Sequence, residues 1–301
     1  MKKKALFSLI LAIVAIMWAG KAQAQAEDYE LLIAGVQVTS DNCNDLSVIE
    51  GVKGTAKYDN ATKTLTLDNV TIQNTAETIN GTGIYNIIDG LTIRLIGNNT
   101  VTAEKSVGLW NGRDDAITIT GGGSLTINAS TTASNKNYQK GIFNRGSITV
   151  SDCTVEVSAG EYGLCDGYWK FERCNMRVKG GGMSGDQYAG SISWVWDNKP
   201  EFTGCGVTSP TGAYWKEFQD GEYTYYTLFG SDDKVVTDWV TITSDPNIIE
   251  VPTVNATAAQ GIYTLSGVRV SNELKDLPKG IYIVNGKKVV KQQETINFCI
   301  Q

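Results

Sequence analysis

A four-residue phrase recurs along the chain: GIYN at 83–86, GLWN at 108–111, GIFN at 141–144 and GLCD at 163–166. The copies are 25, 33 and 22 residues apart. After the first three come short alternating segments, LTIRLIGNNTVTA (91–103), ITITGGGSLTINAS (117–130) and SITVSDCTVEVSA (147–159), with Gly, Asn and Asp between the apolar alternations. Alternation of period two is strand grammar, and those three residue types turn the chain. A period in the low twenties, three short strands to the period, is what one coil of a parallel β-helix requires. The long gap is accounted for by STTASNKNYQ (130–139), a polar insertion expected to leave the coil as a loop. The fold class expected is therefore all-β: a right-handed parallel β-helix solenoid, followed by a small antiparallel β module at the C-terminus.

A second alignment supports the coils. With Leu67, Val150, Phe171 and Phe202 in one column, Val70, Cys153, Cys174 and Cys205 stand three residues later. Two further on come Ile72, Val155, Met176 and Val207. Cysteine here replaces valine in a core column, as a small hydrophobe. Neighbours on adjacent coils stand about 4.8 Å apart, and in-register neighbours have poor disulfide geometry, which favours free, stacked thiols over disulfides. In the tetrapeptide, glycine suits a bend with φ > 0, and Ile84, Leu109, Ile142 and Leu164 point inward. Alternation sends Tyr85, Trp110, Phe143 and Cys165 outward. Asn86, Asn111, Asn144 and Asp166 fall near the corner, where stacked asparagines can bond as a ladder.

The ends differ from the body. Residues 1–26 read as a signal peptide, with Lys2, Lys3 and Lys4 ahead of an apolar run to Ala19 and Ala22-Gln23-Ala24 or Ala24-Gln25-Ala26 as the cleavage pattern. Residues 27–57 are expected to cap the first coil, 58–210 to form the coils and 211–245 a C-terminal β cap. Residues 246–260, with Pro252 and many small residues, read as a linker, 261–292 as the β module and 293–301 as a tail. No later apolar run approaches the roughly 20 residues of a membrane helix. Lys and Arg number 26 against 32 Asp and Glu, a net charge of −6, which argues against nucleic acid or an anionic membrane surface as partner. The chain contains no histidine. Ser-His-Asp and Cys-His mechanisms and His-ligated zinc are thereby excluded, leaving carboxylates, Lys, Arg and Tyr for acid–base work.

Two resemblances add to this reading. IYTLSGVRV (262–270), LPKGIYIV (277–284) and NGKKVVK (285–291) closely resemble the C-terminal sorting domain of Bacteroidetes secreted proteins associated with type IX secretion. The resemblance implies that residues 261–292 engage a secretion machinery and that the protein reaches the cell surface or the medium by way of the periplasm. The body, roughly 31–245, with GVQVTSDN, YDNATKTLTLDNVTI and the GIY, LTI and NTVT phrases that follow, is similar to surface β-helix proteins, pectate-lyase-like in fold, of gut and oral bacteria. That likeness implies the fold and a place on the cell surface, and no particular activity.

Chemistry has few places to reside. Asp114-Asp115, in NGRDDAITI, is similar to the paired aspartates of polygalacturonase-like hydrolases, with Arg113 and Arg145 within reach of a nearby face. Two carboxylates can serve as acid and base, or as nucleophile and acid. The other segments of that family, Asn-Thr-Asp, His-Gly and Arg-Ile-Lys, are missing, so GRDD reads as a solvated turn between coils. Calcium enters only under a lyase alternative, through Asp152, Glu156, Glu161, Asp166 and Glu172. Lys170, Arg173 and Arg177 among them point instead to a mixed-charge surface. The aromatic evidence is better. An outward column of Tyr85, Trp110 and Phe143, with Trp194 and Trp196 beyond it, offers flat rings to sugars, while the rings between Tyr214 and Tyr226 suit an end cover. The expected function is that of an exported, non-catalytic surface protein binding an oligo- or polysaccharide or a host polymer, as an adhesin does. A polysaccharide lyase or glycoside hydrolase is the alternative.

Overall fold

A computed structural model describes residues 25–77, 79–134, 138–183, 185–244, 261–264, 269–271, 273–284 and 287–291. Residues 1–24 of the expected signal peptide, the whole of the expected linker and the tail with Cys299 lie outside the described residues. The chain divides into two units, 1–248 and 249–301. It is nearly all β: one large, mostly parallel sheet and two small antiparallel ones, with no α-helix among the described residues.

Three series of parallel pairings make up the large sheet. In the first, Thr64–Asn74, Leu91–Ile96, Leu109–Thr120, Lys140–Ser151, Tyr168–Glu172 and Glu201–Thr203 stand side by side, bringing Leu65, Ile93, Ile119, Val150, Phe171 and Phe202 into one file. The second runs from the later half of Thr64–Asn74 through Asn98–Ala103, Ser124–Ala129, Thr154–Ala159 and Asn175–Gly180. Its file is Ile72, Val101, Ile127, Val157 and Val178. The third joins Ile84–Asn86, the early halves of Leu109–Thr120 and Lys140–Ser151, Tyr162–Cys165 and Ile192–Ser193, in the file Ile84, Leu109, Ile142, Leu164 and Ile192. Apart from half-buried Phe202, every member of these files is fully buried in one shared cluster. Each such aliphatic side chain contributes roughly 1.5–3 kcal/mol on leaving water.

Both ends of the stack reverse polarity. At the start, Asp28–Ile33 pairs antiparallel with Ile84–Asn86, and Val52–Asp59 pairs antiparallel with Thr64–Asn74. At the finish, Val240–Ser244 lies antiparallel to both Asn175–Gly180 and Cys205–Ser209. Tyr214–Asp220 and Tyr223–Phe229 form a hairpin that continues to Val195–Trp196 as a three-stranded sheet. The second unit holds a four-stranded antiparallel sheet, Arg269–Ser271, Ile262–Tyr263, Gly280–Val284 and Lys287–Lys291 in spatial order.

The structure corrects four expectations. The register places Leu65, not Leu67, beside the Val150 file, and Ile72 beside Val157, not Val155. The sequence alignment had matched the bends, which occur at Asn69 (φ 52°), Asp152 (φ 51°) and Arg173 (φ 46°); the bend itself moves two residues along the strand between early and late tiers. The tetrapeptide glycines are not at positive φ. They are needed for space: a Cβ on Gly108 would stand 2.2 Å from Ile127 Cγ2 and 2.7 Å from the Gly141 carbonyl, and Gly83, Gly141 and Gly163 meet equivalent neighbours. Cys165 is buried, not outward. Its neighbour in register is Ser193, fully buried where the Tyr223–Phe229 strand crosses and Thr227 Oγ1 accepts from Trp194 N–H. Finally, GRDD is no turn between coils but part of the strand Leu109–Thr120.

The remaining core readings agree with the geometry. Asn86 donates to Asn111 and Asn111 to Asn144, each at 3.0 Å, and all three are fully buried. Cys153, Cys174 and Cys205 are free and buried, as are Cys43 and Cys165. Burial pushes the Cys153 thiol up to about 12. On the surface, Arg173 takes Asp152 in two bonds and Arg177 takes Glu156, so these acids stand in ion pairs.

Candidate functional site

The strand Leu109–Thr120 carries an irregularity that creates a site. Its partner Lys140–Ser151 matches Asn111 with Asn144, Arg113 with Arg145 and Ala116 with Ser147, so five steps on one strand answer three on the other. The surplus forms a bulge, a device that re-aims side chains. Asp114 at its crest takes φ 60°, a left-handed conformation that aspartate tolerates better than most residues. The partner strand accommodates the bulge with Gly146, where a Cβ would stand 2.1 Å from the Asp115 carbonyl oxygen.

The bulge turns Asp114 toward a cleft of about 360 Å³. Arg145 lines it from the neighbouring strand, Tyr168 from the next tier, Trp196 and Asp197 from the short strand and bend beyond, and Tyr223, Thr224 and Tyr225 from the hairpin. Trp196 is opposite Tyr225 in antiparallel register, and Asp197 N–H donates to the Thr224 carbonyl at 2.8 Å. The rings of Tyr168 and Trp196 meet at 87° with centroids 5.9 Å apart. The Tyr168 hydroxyl donates to Asp197 Oδ2 at 2.6 Å, and the Trp196 indole N–H to Asp166 Oδ1 at 3.4 Å. Tyr168 is 42% exposed and Tyr223 66%, so ring surface is open to solvent.

Electrostatics sets the residues apart. The bond to Asp197 holds the Tyr168 hydroxyl above its ordinary value. Burial raises the Asp166 carboxyl, opposed by Lys140 and by Arg145. Asp166 occupies the fourth tier of the asparagine ladder, but Asn144 donates to the Tyr168 carbonyl at 3.0 Å and leaves Asp166 to Trp196.

The candidates from the sequence are thus divided. Asp114, Arg145 and Trp196 come together in the cleft. Asp115 does not join them; burial raises its carboxyl first, then the charges of Asp89, Glu30 and Asp114. The paired aspartates are split across the bulge, because adjacent residues on a strand point to opposite sides. Arg113 stands opposite Arg145 in the backbone register. Tyr85, Trp110 and Phe143 do form a half-buried column, with centroids 5.6 and 4.8 Å apart at 74° and 65°. They pack edge to face on one another, and the Lys140 ammonium sits 3.8 Å over Phe143, so the ring faces are partly occupied. Trp194 donates to Asp186 and packs among Tyr188, Phe218 and Tyr225, as part of the hairpin's footing. The sequence reading passes over Asp197 and takes the rings around Tyr225 for an end cover; a local signal for the site is WVWDN (194–198), two rings and an acid alternating beside a bend. Among the described residues no cluster of three or more Cys, Asp or Glu is placed to hold a metal ion, and no helix is long and apolar enough to cross a membrane.

Comparison of the chain with protein-family models, with curated proteins and with solved structures gives no match.

Proposed function

We propose that this chain is an exported cell-surface protein, built as a right-handed parallel β-helix, that binds a glycan in the cleft between Asp114 and Tyr225 without cleaving it. The helical reading is supported by three parallel series whose inward files converge on one core. Export and surface placement rest on the leader-like N-terminus and on the resemblance of residues 261–292 to a sorting domain.

One observation carries the binding reading: two partly open ring planes at a right angle, Tyr168 and Trp196, stand beside the carboxylates of Asp114 and Asp197 and the guanidinium of Arg145. Ring faces match the apolar faces of pyranoses, and carboxylates and guanidinium groups bond vicinal hydroxyls in pairs. The cleft volume lies within the range of about 300–1,000 Å³ typical of ligand pockets.

The test is affinity electrophoresis and calorimetry of the purified chain against a polysaccharide panel. Trp196→Ala is expected to weaken retention by tenfold or more, the effect of losing a central aromatic contact, while Tyr85→Ala leaves it within threefold. Retention unaltered by Trp196→Ala would sink the reading. Asp114 and Asp197 in one cleft also support the hydrolase or lyase alternative. Release of reducing ends or unsaturated products, abolished by Asp197→Asn, would establish it in place of simple binding.

A further inference from the structure

The cleft carries more negative charge than sugar hydroxyls require. Asp114 and Asp197 line it, and Asp166 lies behind Trp196 at hydrogen-bond distance from the indole. Asp220, Asp166 and Asp197 all act on the Tyr225 hydroxyl, which burial has already raised. Among the described residues that line the cleft, Asp114 and Asp197 are carboxylates and Arg145 is the one cation. Lys140 also acts on Asp166, but its ammonium sits over Phe143, between that ring and Tyr162. A uronate would bring its carboxylate into this field, and a neutral sugar would leave the field unused. A protonated amine would use both elements of the site: ring faces attract a cation through their quadrupole, and Tyr168 and Trp196 present two such faces at 87° with Asp197 held at their margin by the Tyr168 hydroxyl.

We propose that the cleft selects glycans bearing protonated primary amines, such as de-N-acetylated hexosamine units, over N-acetylated, neutral or uronic glycans. The inference rests on the glycan-binding reading given above. It follows from juxtaposition: an aromatic corner open to solvent, bordered by carboxylates contributed by the bulge, by the bend after Trp196 and by the ladder position of Asp166.

Calorimetry on the whole chain at about pH 6, below the ordinary pKa of an amine, decides it. The probes are a glucosamine pentamer, the N-acetylglucosamine pentamer, a galacturonate pentamer and pentalysine. The glucosamine pentamer should bind at least tenfold tighter than its acetylated counterpart, and the preference should shrink as salt screens it. Asp114→Asn and, separately, Asp197→Asn should each reduce the ratio of the two affinities at least threefold. Equal affinity for the two hexosamine pentamers, or tighter binding of galacturonate, overturns the amine preference and leaves glycan binding standing. Pentalysine binding tighter than glucosamine overturns it in favour of a cationic peptide. Binding of none of the three glycans removes the glycan-binding reading and this inference with it.

Discussion

At the residue scale, two positions show how little of a side chain's role follows from its type. Glycine in the tetrapeptide reads as a turn former, yet here it is excluded volume that demands it. Gly108→Ala places a methyl 2.2 Å from Ile127 Cγ2 and 2.7 Å from a backbone carbonyl, and neither can move without disturbing the next tier. Denaturant unfolding should show a loss of about 1–3 kcal/mol, the usual range for overpacking. Gly206→Ala is the control, since nothing stands within 4 Å of its Cβ position; its change should stay within about 0.5 kcal/mol. Asp166 is the second case. Burial raises its carboxyl despite Lys140 and Arg145, so the folded state favours the protonated form. The stability associated with that proton is complete below the unfolded value of about 3.9 and is lost as pH rises through the higher folded value. Asp166→Asn keeps an acceptor for the Trp196 indole and never charges. The variant should be more stable than the parent at pH 7 and equal to it near pH 3, by thermal melts at the two pH values. A parent equally stable at both, relative to the variant, would refute the argument.

At the scale of elements, the alternation of apolar residues placed the inward faces correctly except at Cys165, and misplaced the register. A slip of two residues keeps every side chain on its side of a strand. Leu67 and Ile72 were therefore rightly read as buried while being assigned to the wrong files. The tier at Ile192–Ser193 escaped notice because Ser191, Ile192 and Ser193 carry neither the aromatic nor the asparagine of the phrase. The cleft was less legible still. Its lining comes from segments around 114, 145, 168, 196 and 224, and no local pattern joins residues so far apart; only the bulge and the hairpin bring them together. The thiol file was legible, since cysteine in a valine position has a single reading once the spacing repeats. Its consequence is measurable. With Cys299 replaced by serine, the folded chain should react negligibly with a disulfide reagent at pH 8, because the five thiols are buried and Cys153 titrates near 12. Five equivalents should appear on unfolding. A fast equivalent in the folded protein would mean that one thiol is accessible.

For the whole molecule, the two units keep their strand pairings to themselves: every described partner of the four C-terminal strands lies within 249–301. Truncation after Ile248 should accordingly leave the Tm of the main unit unchanged within about 2 °C, a shift that corresponds to less than about 1 kcal/mol for a domain of this size. A larger fall would show that the sheets support each other. The main unit depends on covered ends, since an unpaired strand edge recruits further strands. Here the covers are strands of opposite direction, Val52–Asp59 and Asp28–Ile33 at one end and Val240–Ser244 at the other. A parallel repeat cannot be appended beyond a strand that runs the wrong way. It can only be spliced in between tiers that already agree in polarity, such as those headed by Gly108 and Gly141. A lineage of such proteins could thus grow taller only from within. Each duplicated tier would lengthen the file of rings begun by Tyr85 and leave the lining of the cleft around Tyr168 and Trp196 as it is.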